Sequence, residues 1–339
     1  MTARRKPTIE DVARLANVSN GAVSFALNGR PGVSEATRER ILAAADELGW
    51  SANSTARALS SSRAFAVGLV LARAPELLGA DPFFAPFIAG VESVLAPRGQ
   101  SLVLQVVQDR GQESVYRRLA ASGRADGVFL TDLNVRDRRP ALLRELGLPC
   151  VAVGRPRSRN RLPSVALDDR AGIAAAVDHL VQLGHRRIAH VAGPTRFVHG
   201  ADRRDAWAAA LERAGLPEQP WIESDFTAAG GAAATSELLA RRRPPTAIVF
   251  ANDLMATAGL QVLAARGIRV PEDMSVTGFE DTQIAAYLAP PLTSVSIDVV
   301  AWGARAAESL LAVVDGDDPG KVELPEPELI VRGSTGPVP

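Results

Sequence analysis

The chain of 339 residues is too long for one small core and is sized for a small module plus two larger lobes. Hydrophobic residues make up 47% and charged residues 22%, as in ordinary globular chains, and the net charge of zero requires any nucleic-acid surface to be a local basic patch. A single cysteine excludes an intramolecular disulfide, no apolar leader follows the basic start MTARRK, and no 18-residue apolar run suggests a membrane span, so a soluble cytoplasmic protein is expected.

Arg4, Arg5 and Lys6 form a basic arm, suited either to phosphates or to simple solvation. Thr8 is a natural N-cap, answered by Asp11 three residues on, and Ile9, Val12, Ala13 and Ala16 give one apolar helix face. Asn17-Val18-Ser19 breaks the period, and Ser19 can cap a second helix. That helix keeps Val23, Ala26 and Leu27 inward and turns Asn20, Gly21 and Ser24 outward. Two short helices around a tight turn are a helix-turn-helix pattern, which an ordinary bundle can share. After the loop Gly29-Arg30-Pro31-Gly32, Ser34 caps a third helix carrying Ile41, Ala44, Ala45 and Leu48 and stopped by Gly49. Residues 51–62, SANSTARALSSS, read as a serine-flanked linker holding about two turns of helix behind Asn53. That is too short to persist in water alone.

From about residue 64 strands and helices alternate. Strands are predicted at 64–71, 101–107, 127–130 and 149–153, with helices at 86–95, 113–121 and 138–146 between and after them. The charged connector RPRSRNR (155–161) follows, and the pattern restarts. Strands are expected at 164–167, 187–191, 247–250 and 275–278, helices at 170–183, 201–214, 230–242 and 254–266, then a late helix at 300–314 and a last strand at 328–331. The expected fold is an all-α module followed by two doubly wound, Rossmann-like α/β lobes with a crevice at the carboxyl ends of their strands. No heptad segment near the end suggests a coiled coil.

Four stretches follow predicted strands and should face that crevice: Asp81-Pro82-Phe83-Phe84, Arg203, Asn252-Asp253 and Glu280-Asp281. Carboxylates and a guanidinium fork suit adjacent hydroxyls, and an aromatic ring suits the apolar face of a sugar. Structural alternatives are that Asn252 and Asp253 only cap the next helix and that Phe83 is core, whereas an arginine at a helix start opposes the helix dipole unless something answers it. Enzyme signatures are missing: there is no G-x-x-x-x-G-K-[ST] loop and no G-x-S-x-G elbow. Cys150 lies in an apolar strand, and His179, His185, His190 and His199 show no metal-ligand spacing, so no cofactor and no metal are expected. A secreted sugar-binding protein would share the lobes but not the N-terminal module.

TIEDVARLANVSNGAVSFALNGRPGVSEATRERILAAADELGW, DPFFAP from Asp81, R-x-x-x-W from Arg203 to Trp207, PTAIVFANDLMATAG from Pro245 and VPEDMSVTGFEDT from Val270 together resemble the lactose/galactose-repressor (LacI-type) family over essentially the full length. The resemblance implies a helix-turn-helix domain at 1–50, a hinge at 51–62 and a periplasmic-binding-protein-like effector domain at 63–339. Its N-lobe would take about 63–158 plus 298–326 and its C-lobe about 159–297 plus 327–339. It implies a repressor, not an enzyme, acting as a homodimer on near-palindromic operator DNA and controlled by a small ligand. That ligand would be a carbohydrate, with a nucleoside- or purine-like effector or a degenerate cleft as alternatives.

By the same resemblance the second helix enters the major groove, with Ser19, Asn20, Gly21 and Ser24 at the interface. Asn20 can read an adenine, whereas Gly21 has no side chain to read with. Phe25 could touch a thymine methyl or pack inward. Thr8, Asn28 and Arg30 match phosphate-positioning sites. Asn53, Ala56 and Leu59 match the hinge helix, with Leu59 as the minor-groove wedge. In the cleft Phe84, Arg203, Asn252 and Glu280 match effector contacts, and Phe226 and Val299 match pocket walls. Glu280 stands where the family usually has aspartate, one methylene longer.

Overall fold

The computed structural model describes residues 7–27, 31–50, 63–73, 79, 81–108, 111–157 and 162–338. It divides into two compact units, Met1–Arg63 and Ala64–Pro339.

The first unit holds α1 (Ile9–Ala16), α2 (Asn20–Leu27) and α3 (Glu35–Glu47). Asp11 Oδ2 accepts from the Thr8 backbone N–H at 2.9 Å and from its hydroxyl at 2.8 Å, fixing the entry to α1. Asn17, in the left-handed region at φ 52°, ends α1, and the Ser19 hydroxyl oxygen accepts from Ala22 N–H at 3.2 Å to start α2. Arginines of α3 close both preceding helices: Arg38 Nη1 donates to the Ala26 carbonyl at 3.1 Å and Arg40 Nε to that of Ala16 at 3.3 Å. The core is small and alanine-rich, with Val12, Val23 and Ile41 at its centre.

The second unit contains two six-stranded sheets. The first takes β1 (Ala66–Ala72), β2 (Ser101–Val107), β3 (Gly127–Leu130), β4 (Cys150–Val153), β5 (Ser164–Ala166) and, from near the end of the chain, β11 (Lys321–Glu323). The second takes β6 (Ile188–Ala192), β7 (Trp221–Glu223), β8 (Ala247–Phe250), β9 (Ser275–Glu280), β10 (Thr293–Ser296) and β12 (Glu328–Ile330). The orders are β11-β5-β4-β3-β1-β2 and β12-β10-β9-β8-β6-β7, so the same winding occurs twice. All pairings are parallel except β10 with β12. Each sheet has a switch point, between β1 and β3 and between β6 and β8, where neighbouring crossovers leave to opposite faces. The central strands are buried on both faces, as their near-continuous apolar sequence demands.

Helices α4 (Phe84–Leu95), α5 (Gln112–Ser122), α6 (Arg139–Glu145) and α11 (Val299–Asp315) cover the first sheet. The second is covered by α7 (Asp169–Gln182), α8 (Val198–Arg213), α9 (Ala228–Leu239) and α10 (Asp253–Ala265). The lobe boundary expected at about 159 falls later, because β5 pairs with β4 in the first sheet and the chain crosses only after it. β7, β10 and β11 are strands that the sequence pattern does not resolve. α4 and α11 approach until backbone meets backbone: a Cβ on Gly90 would lie 2.0 Å from the Val300 carbonyl oxygen, and one on Gly303 2.1 Å from that of Phe87. Among the described residues no helix is long and apolar enough to cross a membrane.

Candidate functional site

The first unit offers α2 as a short, largely polar exposed face. Asn20 and Gly21 are exposed and Ser24 is half-buried. A Cβ on Gly21 would meet nothing closer than the Ser19 hydroxyl oxygen at 3.8 Å, so the helix surface there is open. Ser19 spends its side chain on the cap, as sequence reasoning expects. Phe25 is 42% exposed, and its ring edge sits 3.3 Å from where a Cβ on Gly32 would lie, so it is both partly packed and partly presented. Asn28, Arg30, Asn53, Ala56 and Leu59 lie outside the described residues.

In the second unit a cleft opens where the carboxyl ends of both sheets meet. β1 delivers Arg73, β3 delivers Thr131 and Asp132, and β4 delivers Gly154. From the other sheet come His199 and Arg203 on α8, Asn252 after β8 and Glu280 at the end of β9. This is the placement the doubly wound topology dictates, since side chains at strand ends are free of the core yet held by it.

Both inner arginines are already answered. Arg73 forks onto Asp132, with Nε to Oδ2 at 2.9 Å and Nη2 to Oδ1 at 2.7 Å, pairs with Asp81, and lies 5.0 Å over the Phe84 ring. Burial works against the charge of Asp132, but the Arg73 guanidinium outweighs it and holds the carboxyl below its usual range. Arg203 donates from Nε to Asp169 Oδ1 at 2.8 Å and from Nη1 to the Ala251 carbonyl at 2.6 Å, and it stacks 3.8 Å over the Phe279 ring. α8 begins at Val198, so Arg203 lies in its second turn and not at the helix start expected from the sequence, and Asp169 answers its charge.

Asn252 is spent as a cap: its Oδ1 accepts from Met255 N–H at 3.0 Å while Nδ2 donates to the Phe226 carbonyl at 3.1 Å. Asp253, next to it, turns away from the cleft. It accepts from Thr282 N–H and Oγ1 at 2.7 and 2.9 Å and from Ser294 Oγ at 2.5 Å, and burial, which those bonds only partly offset, pushes its carboxyl up to about 6.

Glu280 is different. It sits at φ 105°, and its Oε2 is buried without a hydrogen-bond partner among the described residues. Burial raises its carboxyl well above the usual range, Arg203 and Arg73 oppose that shift, and the nearby Asp81 and Asp253 reinforce it. His199 stacks between Phe197 and Phe226, centroids 5.6 and 5.3 Å away, and burial with the Arg203 charge drops its imidazole to about 4, so it is neutral at pH 7. Phe226 adopts φ 67°, and its ring lies directly over Gly193, where a Cβ would come within 1.9 Å of it.

Arg203, Phe226, Asn252 and Glu280 thus meet in one cleft, while Phe84 and Val299 do not line it. Phe84 opens α4 in register with Phe87 and Val91, at i, i+3 and i+7. Its ring therefore points into the core, and the preceding Phe83 faces the cleft instead. Val299 likewise begins α11 in register with Trp302 and Ala306, packs into the core, and leaves Trp302 as the wall. Trp302 meets Phe83 edge-on at 5.6 Å, and its Nε1 donates to the Val165 carbonyl at 2.9 Å. Sequence reasoning misses Arg73, Asp132, Asp169 and His199. Position just past a strand marks the first two, whereas Asp169 and His199 open helices that carry no pattern of their own. Cys150 is half-buried, and burial pushes its thiol up to about 11, so it is no nucleophile at neutral pH.

The lobes also touch beside the cleft. Val135 N–H donates to the Arg196 carbonyl at 2.9 Å and Val198 N–H to that of Leu133 at 2.8 Å, bridging the loop after β3 to the entrance of α8.

A helix-turn-helix unit joined to a two-lobed binding unit with a polar, aromatic-walled cleft defines the class of ligand-responsive DNA-binding regulators. Residues 8–53 match the family described as bacterial regulatory proteins, lacI family, and residues 177–335 match the periplasmic binding protein-like domain. The transcriptional regulator CelR of Thermobifida fusca is 38% identical, with 98% of this chain and 100% of that protein covered. The repressor PurR of Aliivibrio salmonicida is 30% identical over 96% and 98%. Among solved structures, a CelR–cellobiose complex superposes with a TM-score of 0.76 at 37% identity, covering 97% of this chain and 99% of that one. A lac repressor dimer bound to operator superposes at 0.84 and 27%, covering 98% and 100%. The chain belongs to the LacI family of transcriptional regulators, and it is not an enzyme.

Proposed function

We propose that the protein is a repressor whose homodimer grips a near-palindromic operator through α2 and the hinge, and whose cleft takes a neutral sugar that controls that grip. The observation that carries the ligand class is the charge pattern of the cleft. Among the described lining residues each arginine is already paired, Arg73 with Asp132 and Asp81, Arg203 with Asp169 and Arg155 with Glu323. An anion such as a sugar phosphate would find no free guanidinium there, whereas hydroxyls can share the arginines' remaining N–H groups and the carboxylate oxygens. Phe83, Trp302 and Phe226 supply apolar faces for a pyranose ring.

The lac repressor seen on operator is a dimer, and two-fold symmetry of that kind matches a palindromic site. Thr8, Ser19, Asn20, Gly21, Ser24, Asn28, Arg30, Asn53, Ala56 and Leu59 are the proposed DNA face. With Gly21 silent, much of the discrimination falls to Asn20, to Leu59 as a wedge and to DNA deformability. Such a protein works in the cytoplasm, at the nucleoid when bound. The test is footprinting of the full chain on DNA upstream of its own gene, together with calorimetry against cellobiose, maltose, glucose, glucose 6-phosphate and hypoxanthine. A protected palindrome and heat with a neutral sugar support the reading. Binding of hypoxanthine or of the phosphate alone overturns the ligand class.

A further inference from the structure

Every charged group around Glu280 bears on one question: whether its carboxyl can release a proton. Arg203 faces it from α8 and Arg73 from the end of β1, but Arg203 is held by Asp169 and the Ala251 carbonyl, and Arg73 by Asp132 and Asp81. Two more carboxylates face it, Asp81 from the loop after β1 and Asp253 from α10, and His199, also lining the cleft, carries no charge at neutral pH. Among the described residues no hydrogen-bond partner reaches its buried Oε2. A carboxylate there would leave Oε2 without a hydrogen bond and, with both arginines already paired, without a free counter-ion. A carboxylic acid needs neither, and it gains something a carboxylate lacks, an O–H to donate.

We propose that Glu280 enters the cleft as a neutral acid and donates a hydrogen bond to an acceptor oxygen of the ligand. This rests on the saccharide reading, and it narrows it. The ring and glycosidic oxygens of a sugar are acceptor-only and its hydroxyl oxygens also accept, so the acid can donate to any of them, whereas an ionised Glu280 could only accept from hydroxyls. Ligand capture is then tied to the Glu280 proton.

The experiment is infrared spectroscopy of the full-length wild type and E280Q, with and without cellobiose, joined to calorimetry across pH. At pH 8, above Asp253 at about 6, the wild type is expected to keep a protonated-carboxyl C=O band that E280Q lacks, and that band is expected to move when cellobiose saturates the cleft. Above the midpoint at which the band disappears, cellobiose affinity should fall about tenfold per pH unit in the wild type, and E280Q should lose that dependence. If E280Q does not fold, loss of the wild-type band on raising the pH, in step with the loss of affinity, replaces the comparison. A carboxylate band for Glu280 at pH 8, or a protonated band that stays put while cellobiose binds, overturns the proposal. If cellobiose gives no heat, the cellobiose form of the saccharide reading fails, while the ligand-free band still decides the state of Glu280.

Discussion

Arg203 shows how one residue serves two ends. Its guanidinium neutralises the buried Asp169 and supports the Ala251 carbonyl at the end of β8, so the cleft floor and the cleft chemistry are the same object. Replacing it by methionine strands the Asp169 carboxylate, and the folded state should lose about 3–5 kcal/mol, read by urea unfolding. Asp169→Asn in the same background should recover much of that loss. Asp253 gives a pH signature. Its folded carboxyl titrates at about 6, above an unfolded value of 3.8, so the native state holds the extra proton between them. Stability should therefore fall as pH rises from about 4 to about 6 and level off above that, and Asp253→Asn should flatten that part of a Tm-against-pH curve. An unaltered slope would show that the Ser294 and Thr282 donors keep the carboxylate ionised.

Elements are where the reading of the chain succeeds and fails for physical reasons. Ser19 caps α2 as its position demands, and Ser19→Ala should cost the first unit about 1 kcal/mol by thermal unfolding. Gly90 and Gly303 let α4 and α11 touch backbone to backbone, so Gly303→Ala should destabilise by about 1–3 kcal/mol in denaturant and push the Phe87 carbonyl, and with it the neighbouring cleft wall, outward.

The strand-helix alternation is written in local apolar runs, and so both sheets are legible. β7 and β11 are not, because three-residue strands at the sheet edges carry too little pattern and gain their place from partners far away in the chain. The same limit explains the misplaced lobe boundary: nothing local in Ser164–Ala166 says which sheet it joins. Cleft residues at strand ends can be found from the sequence. Which of two adjacent aromatics faces the ligand cannot, since helix register decides between Phe83 and Phe84; Val299 and Trp302 share one register, and Trp302 alone of the two lines the cleft.

At the scale of the whole molecule, the central claim is that occupancy of the cleft in one unit sets the DNA affinity of the other. The lobes meet at the Leu133–Val135 and Arg196–Val198 bridge, so a ligand spanning both sheets can bias their closure, and a coupling of about 1–3 kcal/mol corresponds to a change of roughly 5–150-fold in operator affinity. The most direct measurement is fluorescence anisotropy of the full-length protein on the palindrome found by footprinting, titrated with and without a neutral sugar at a concentration that calorimetry shows to saturate the cleft. DNA affinity should shift within that range, in the same direction at every salt concentration, and the shift should be absent in Arg203→Met. A saturated cleft with DNA affinity left as it was would contradict that coupling.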